Sequence, residues 1–223
     1  MTIEVLIVGA GGIGGLLTDH VSRALAFSGL AEKVGGVTLT LMDGDIVEPR
    51  NLPHQRFKVS DVGHPKVLGV IEPLSAAGIS DRGVQFVALA ENLSAETDLS
   101  AFDLVVVAVD RAGPRKFVHE QANEWLDLRA SGDGFVSFSH ETSSAVRDSL
   151  PEQNGSASCQ LAGAIESGHI QFGFADSAAH GAQWIIQWFR IRSGEPTALP
   201  SSRMYSIHWG ELPFPTIEEV VSE

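Results

Sequence analysis

An α/β fold, doubly wound around a mostly parallel sheet with helices on both faces, is what this 223-residue sequence predicts. Three observations carry the prediction. Apolar runs alternate with helical patterns along residues 3–139, as successive βαβ units do. The run Val5-Leu6-Ile7-Val8 empties into Gly9-Ala10-Gly11-Gly12-Ile13-Gly14, a strand followed by a G-x-G-x-x-G turn. The stretch Leu104-Val105-Val106-Val107-Ala108-Val109 is continuously apolar, as a parallel strand buried on both faces is.

The elements follow in order. A first strand is expected at 3–8, and the glycine turn then opens a helix over 15–27, whose first N–H groups would face an anionic phosphate. Strand two, 36–42, reads Gly-Val-Thr-Leu-Thr-Leu-Met. An irregular loop over 43–63 precedes a helical pattern at 64–77, in which Pro73 predicts an early end or a kink. Strands at 84–89 and 103–109, a helix at 114–128 and a strand at 134–139 complete the alternation. Residues 140–158 are rich in Ser, Glu, Asn and Gly and read as a flexible loop. An amphipathic helix at 178–191, a strand at 203–209 and an acidic stretch at 213–223 follow, the C-terminal tail as a whole being taken as 210–223. No repeat or compositional break divides the chain, so one domain over 1–223 is expected.

A hydrophobic content of 43% suffices for a substantial core, and a formal charge of −13 argues against general nucleic-acid binding, which needs a basic face. No run approaches the roughly 18 apolar residues of a membrane span, and Thr2-Ile3-Glu4 lacks the basic start of a signal peptide, so a cytoplasmic protein without membrane contact is expected. Cys159 is the single cysteine, which excludes an internal disulfide and a cysteine-based zinc site within one chain. The eight histidines lack metal-ligand spacing, and no transition metal is assigned. Against the acidic background, Arg50, Arg56, Lys58 and Lys66 gather with His54 and His64 in a short stretch. That pattern fits a local anion site, or a solvated loop.

The segment Leu41-Met42-Asp43-Gly44-Asp45-Ile46-Val47-Glu48-Pro49-Arg50-Asn51-Leu52-Pro53-His54-Gln55-Arg56 decides what kind of nucleotide site this is. Asp43 ends strand two, where a dinucleotide site keeps an acidic residue for the ribose hydroxyls, but lies farther from the glycines than usual. Taken singly, Asp43 and Asp45 also fit a turn and cap, Asn51 a turn residue, Lys66 a solvated helix residue and Asp110 a helix cap. Taken together and in this order, the residues resemble the ThiF/MoeB adenylating family, related to the adenylation domains of ubiquitin-activating enzymes. That family carries a glycine loop, D-x-D-x-V, N-L-x-R-Q, a later lysine and an aspartate ending a hydrophobic strand.

The resemblance covers about residues 3–116 closely and 159–190 loosely, and implies a Rossmann-like fold. Gly9, Gly11, Gly12 and Gly14 match the nucleotide loop. Asp43 matches the ribose-binding aspartate, with Asp45 beside it. Asn51 and Gln55 match the residues that frame the triphosphate, Lys66 the phosphate-binding lysine, and Asp110, followed by Arg115, the magnesium-associated aspartate. The implied cofactors are ATP and magnesium. The implied activity is adenylation of the C-terminal carboxylate of a small ubiquitin-like or sulfur-carrier protein, or a peptide, with release of pyrophosphate. A carboxylate is already an ionised nucleophile at neutral pH, so such a site needs cations and alignment rather than a general base. Lys66, Arg50 and Arg56 could supply that charge.

The sequence also departs from the family. His54 stands where N-L-x-R-Q has its arginine, and an imidazole is only partly cationic at neutral pH. The family's N-terminal-helix arginine has no counterpart before strand one, nor do its paired Cys-x-x-Cys motifs. Cys159, in Cys159-Gln160-Leu161-Ala162-Gly163-Ala164-Ile165, loosely resembles a family cysteine that links to a carrier. It could capture an acyl-adenylate as a thioester if its pKa were lowered, or be a small buried hydrophobe. The resemblance implies a homodimer, for which Trp184, Trp188 and Phe189 are either contacts or core. Two alternatives stay open: a half-site subunit that completes a heterodimer, and an NAD-dependent oxidoreductase.

Overall fold

A computed structural model of the protein describes residues 2–150 and 159–215. The expected loop at 140–158 and tail at 210–223 therefore lie partly outside the described residues. One eight-stranded sheet runs through the structure in the order β3-β2-β1-β4-β5-β6-β7-β8. Its strands are β1 (Ile3–Val8), β2 (Val37–Met42), β3 (Val84–Leu89), β4 (Leu104–Val107), β5 (Trp125–Ser131), β6 (Gly134–Ser139), β7 (Arg203–Ser206) and β8 (Gly210–Leu212). The first five strands pair in parallel, and β5 through β8 form an antiparallel extension.

The alternation of side chains along β1 explains why both faces must be covered. Val5 and Ile7 join one core with α1 (Gly12–Ser28), α3 (Lys66–Ala76) and α6 (Gly173–Arg192), whereas Leu6 and Val8 join Val105, Val107 and Phe138 beneath α4 (Ala112–Gln121). All four β1 residues are 3% exposed or less, which is the burial that a continuous apolar run demands. Two short helices, α2 (Leu30–Lys33) and α5 (Ser144–Asp148), complete the set.

Several expected boundaries change. The helix expected over 114–128 is α4 followed by β5. Leu126 and Leu128 face the α1 and α6 side, and the chain reverses into β6 at Gly132, whose φ of 59° suits glycine. Within 140–150, Ser143 caps α5 by accepting the Val146 N–H, so part of the expected loop is helical. Helix α3 runs through Pro73 to Ala76, α6 starts five residues earlier than its amphipathic stretch, and the strand at 203–209 turns after Ser206 into β8. Trp184, Trp188 and Phe189 are 1%, 3% and 0% exposed. They are core, and so not contacts to a second copy.

Candidate functional site

Order 3-2-1-4 places the topological switch between β1 and β4, the position where open α/β sheets form a ligand crevice beyond their carboxyl ends. The glycine turn occupies it. Gly9 has a φ of 104°, and a Cβ there would stand 2.6 Å from the Ala108 carbonyl oxygen at the end of β4. A Cβ on Gly14 would stand 1.8 Å from the Gly9 oxygen, so only glycine lets the first turn of α1 fold back this closely on the strand it leaves. The Gly9 N–H donates to Met42 O at 2.8 Å, and the Ala10 N–H to Asp43 Oδ2 at 2.7 Å. Asp43 Oδ1 accepts the Asp45 N–H at 2.8 Å. The Asp43 carboxylate thus ties the turn after β1 to the end of β2.

The 43–66 loop stands over that turn. Asn51 is buried and accepts the Glu48 N–H at 2.8 Å, closing a short 3-10 turn at Pro49–Asn51. The Gln55 amide lies above Gly11, where a Cβ would be 3.9 Å from Nε2. Lys66 opens α3 and is not a solvated residue: its side chain is 11% exposed, and Nζ donates to Asp45 Oδ2 at 2.8 Å. His54 packs edge-on against Phe174 of α6 at 6.2 Å, and its Nδ1 has no partner among the described residues. Burial, and then the Lys66 charge, push the imidazole pKa below its ordinary value, so the ring is neutral at pH 7. It does not restore the missing arginine charge.

Neither neighbouring arginine is free. Arg50 pairs with Glu48 at 2.6 Å with its side chain 73% exposed, turned to solvent, and Arg56 pairs with Asp19 of α1. On the β4 side, Arg115 is buried and donates through Nε and Nη2 to Val109 O at 3.0 and 2.6 Å, fixing the backbone that presents Asp110. Asp110 does not cap α4, whose cap residue is Arg111 and has no side-chain cap bond. The Asp110 charge acts on both Arg115 and Cys159.

Cys159 is partly buried and free. Burial pushes its thiol up to about 11, with Asp110 acting in the same direction against Arg115 and Lys66. A thiol so placed is protonated at neutral pH, the reverse of the lowered pKa that a nucleophilic role needs. The structure therefore gathers the glycines, Asp43, Asp45, Gln55, Lys66 and the Asp110 loop around one crevice, and turns Arg50 away from it.

Two neighbours of the crevice had no signal in the sequence. Phe174 lies against Gly12, at 3.0 Å from where a Cβ would be, and the Asn92 side chain covers Gly44 at 2.5 Å from the equivalent position. Both arrive from distant segments, so no local spacing announces them.

A doubly wound sheet with a glycine turn at its switch point, and a loop of acidic, amide and lysine side chains beside that turn, defines an α/β protein of Rossmann-like class. The chain belongs to the ThiF family, whose profile matches residues 1–175. A curated relative, the ATP-dependent ubiquitin transferase-like protein Cap2 of Enterobacter hormaechei subsp. hoffmannii (strain UCI 50), is 25% identical over 169 residues. That match covers 71% of this chain and only 26% of Cap2. Among solved structures, the microcin C7 biosynthetic enzyme MccB in complex with N-formylated MccA superposes with a TM-score of 0.63 at 21% identity, over 96% of this chain and 65% of that one. Escherichia coli MccB with ATP gives 0.59 at 22% identity, over 96% and 64%, and PaaA gives 0.55 at 17%, over 95% and 64%. At these identities the structural likeness establishes the fold.

Proposed function

We propose that this chain is an ATP-dependent adenylating enzyme that activates the C-terminal carboxylate of a peptide or of a small ubiquitin-like or sulfur-carrier protein. The observation that carries the reading is the convergence of the glycine turn, Asp43, Gln55, Lys66 and the Asp110 loop on the β1/β4 crevice. Family membership and the names of the similar proteins, one an ATP-dependent ubiquitin transferase-like protein and another a structure with ATP, support it.

In this reading a carboxylate oxygen bonds to the α-phosphorus of ATP, the bond to the bridging oxygen breaks, and pyrophosphate leaves with that electron pair. The Gly9 and Ala10 N–H groups are held by Met42 and Asp43, and the N–H groups that follow them at the start of α1 face the phosphates. Lys66, nearly dry and held at Asp45, offsets charge gathering on the phosphate oxygens, where a cation acts more strongly than in water. Arg115 holds Asp110 at the crevice through Val109 O. Among the described residues no group of three or more acidic, His or Cys side chains could hold a metal ion by itself. One carboxylate plus substrate phosphates is how magnesium is commonly bound, so the donor set fits magnesium at Asp110, where it would screen the triphosphate. A homodimeric state belongs to this reading as its outer part, whereas the raised thiol pKa of Cys159 argues against a subsequent transfer to that residue.

The test is carboxylate-dependent exchange of labelled pyrophosphate into ATP, using peptides and Gly-Gly-ending carriers with free C-termini. Exchange is expected, and Lys66→Ala or Asp110→Ala should each lower it at least about 100-fold, the scale on which removing one electrostatic stabiliser acts. No exchange with any carboxylate would defeat the proposal. A second reading, a half-site subunit of a heterodimer, is favoured by the neutral His54 and by the carboxylates engaging Arg50 and Arg56. It predicts ATP binding by the purified chain, with turnover only after a paralogous subunit is added.

A further inference from the structure

On the α4 face of the sheet, a cavity of about 540 Å³ opens between α4, β5 and α5. Three of its lining residues, Arg115, His119 and Arg129, surround Asp127, which is fully buried and accepts from Arg129 Nε and Nη2 at 3.0 and 2.6 Å. His119 Nε2 stands 3.1 Å from the same carboxylate and Arg115 Nε 3.9 Å from it. Arg115, Lys116, Arg129 and Arg147 all line the cavity, four of the 15 basic residues of an acidic chain. Arg129 and Arg115 act on each other as like charges, so their gathering needs an anion. Asp127 answers those two from below. The exposed Glu120 and Asp148 also line the cavity, and Glu120 is 3.9 Å from Lys116.

Among the described residues, nothing accepts a hydrogen bond from Arg147 Nε. Its guanidinium lies 5.7 Å over the ring of Trp125, itself stacked on His119 at 3.9 Å, and the Nε atom is buried without a partner among the described residues. A guanidinium donor withdrawn from water and left unpaired is unfavourable, and an oxyanion is the acceptor that its planar fork fits.

We propose that this cavity binds a small molecule through a phosphate or carboxylate group, held by Arg147 and Lys116 with Arg129 behind them. None of the residues of the nucleotide crevice lines it except Arg115, whose guanidinium reaches both Asp127 and Val109 O. The inference does not depend on the adenylation reading.

Calorimetric titration with inorganic phosphate and, separately, with succinate tests it. The Lys66→Ala background removes the cation that would take phosphate at the glycine turn. One anion per chain should bind saturably, and Arg147→Gln should weaken it about tenfold or more, the equivalent of one charge-assisted hydrogen bond. Lys116→Gln, on an exposed side chain, should weaken binding without changing the thermal midpoint, and it reports on the site even if Arg147→Gln fails to fold. Binding of phosphate alone assigns a phosphorylated ligand, of succinate alone a carboxylate, and of both an unselective oxyanion site. Each supports the proposal. Absence of saturable binding by either anion, or equal binding by the Arg147→Gln/Lys116→Gln double variant, overturns it.

Discussion

Gly14 shows how little room single residues have around the crevice. A methyl group there would meet the Gly9 oxygen at 1.8 Å, so Gly14→Ala must push the turn away from β1. We expect a loss of roughly 1–3 kcal/mol in urea unfolding, together with loss of ATP binding by calorimetry. His180 gives a pH signature of the fold. Burial, and then Arg203, hold its pKa down to about 4, while Ser137 Oγ lies 2.9 Å from Nε2. The unfolded chain takes up this proton near pH 6.5, the folded chain only near 4. Stability from this group is therefore full above about pH 6.5, falls as pH drops between the two values, and levels off below about 4. Urea midpoints measured over that range should decline in the parent and decline less in His180→Gln. At this scale the sequence was informative about Asp43, Gln55 and Lys66, because their types and order are local. The neutrality of His54 was not legible, since it depends on Phe174 from α6 and on the closeness of Lys66.

Between elements, Asp127 is the joint that fastens α4 to β5. Burial alone would raise its pKa, yet the nearby His119 Nε2, 3.1 Å away, and the Arg129 and Arg115 charges hold it below the ordinary carboxylate value. Asp127→Ala would leave Arg115 and Arg129, with side chains 9% and 22% exposed, facing each other without their counter-charge. A buried pair broken from one side costs about 3–5 kcal/mol, and hydrogen exchange should quicken first in α4. An unchanged unfolding midpoint would contradict this account of the joint. This joint was hidden in the sequence because Trp125-Leu126-Asp127-Leu128 directly continues a helical pattern, and the strand is chosen by pairing with β4 and β6. The parallel strands β1 to β4 were legible from their apolar runs alone, whereas the three-residue β8 exists only through its pairing with β7.

Across the whole molecule, the sheet order brings a turn after β1, a loop after β2 and a loop after β4 to one edge, and no single segment contains the site. The order of motifs along the chain revealed that convergence, while the cavity beside α4 arose from residues of which only Arg115 belongs to a motif. The chain belongs to an adenylating family but spans 26% of Cap2 and about two thirds of MccB, so its chemistry has to be measured on this chain itself. If the chain adenylates as proposed, Cys159→Ala should leave pyrophosphate exchange unchanged, because burial pushes the thiol up to about 11 and keeps it protonated. The most direct measurement follows the oxygen. A peptide or carrier whose C-terminal carboxylate is labelled with ¹⁸O is incubated with ATP, magnesium and hydroxylamine, and the nucleotide product is weighed by mass spectrometry. Attack on the α-phosphorus predicts AMP carrying one ¹⁸O from the carboxylate. Label appearing instead in inorganic phosphate beside ADP, or remaining wholly in the carboxylate, would contradict the account.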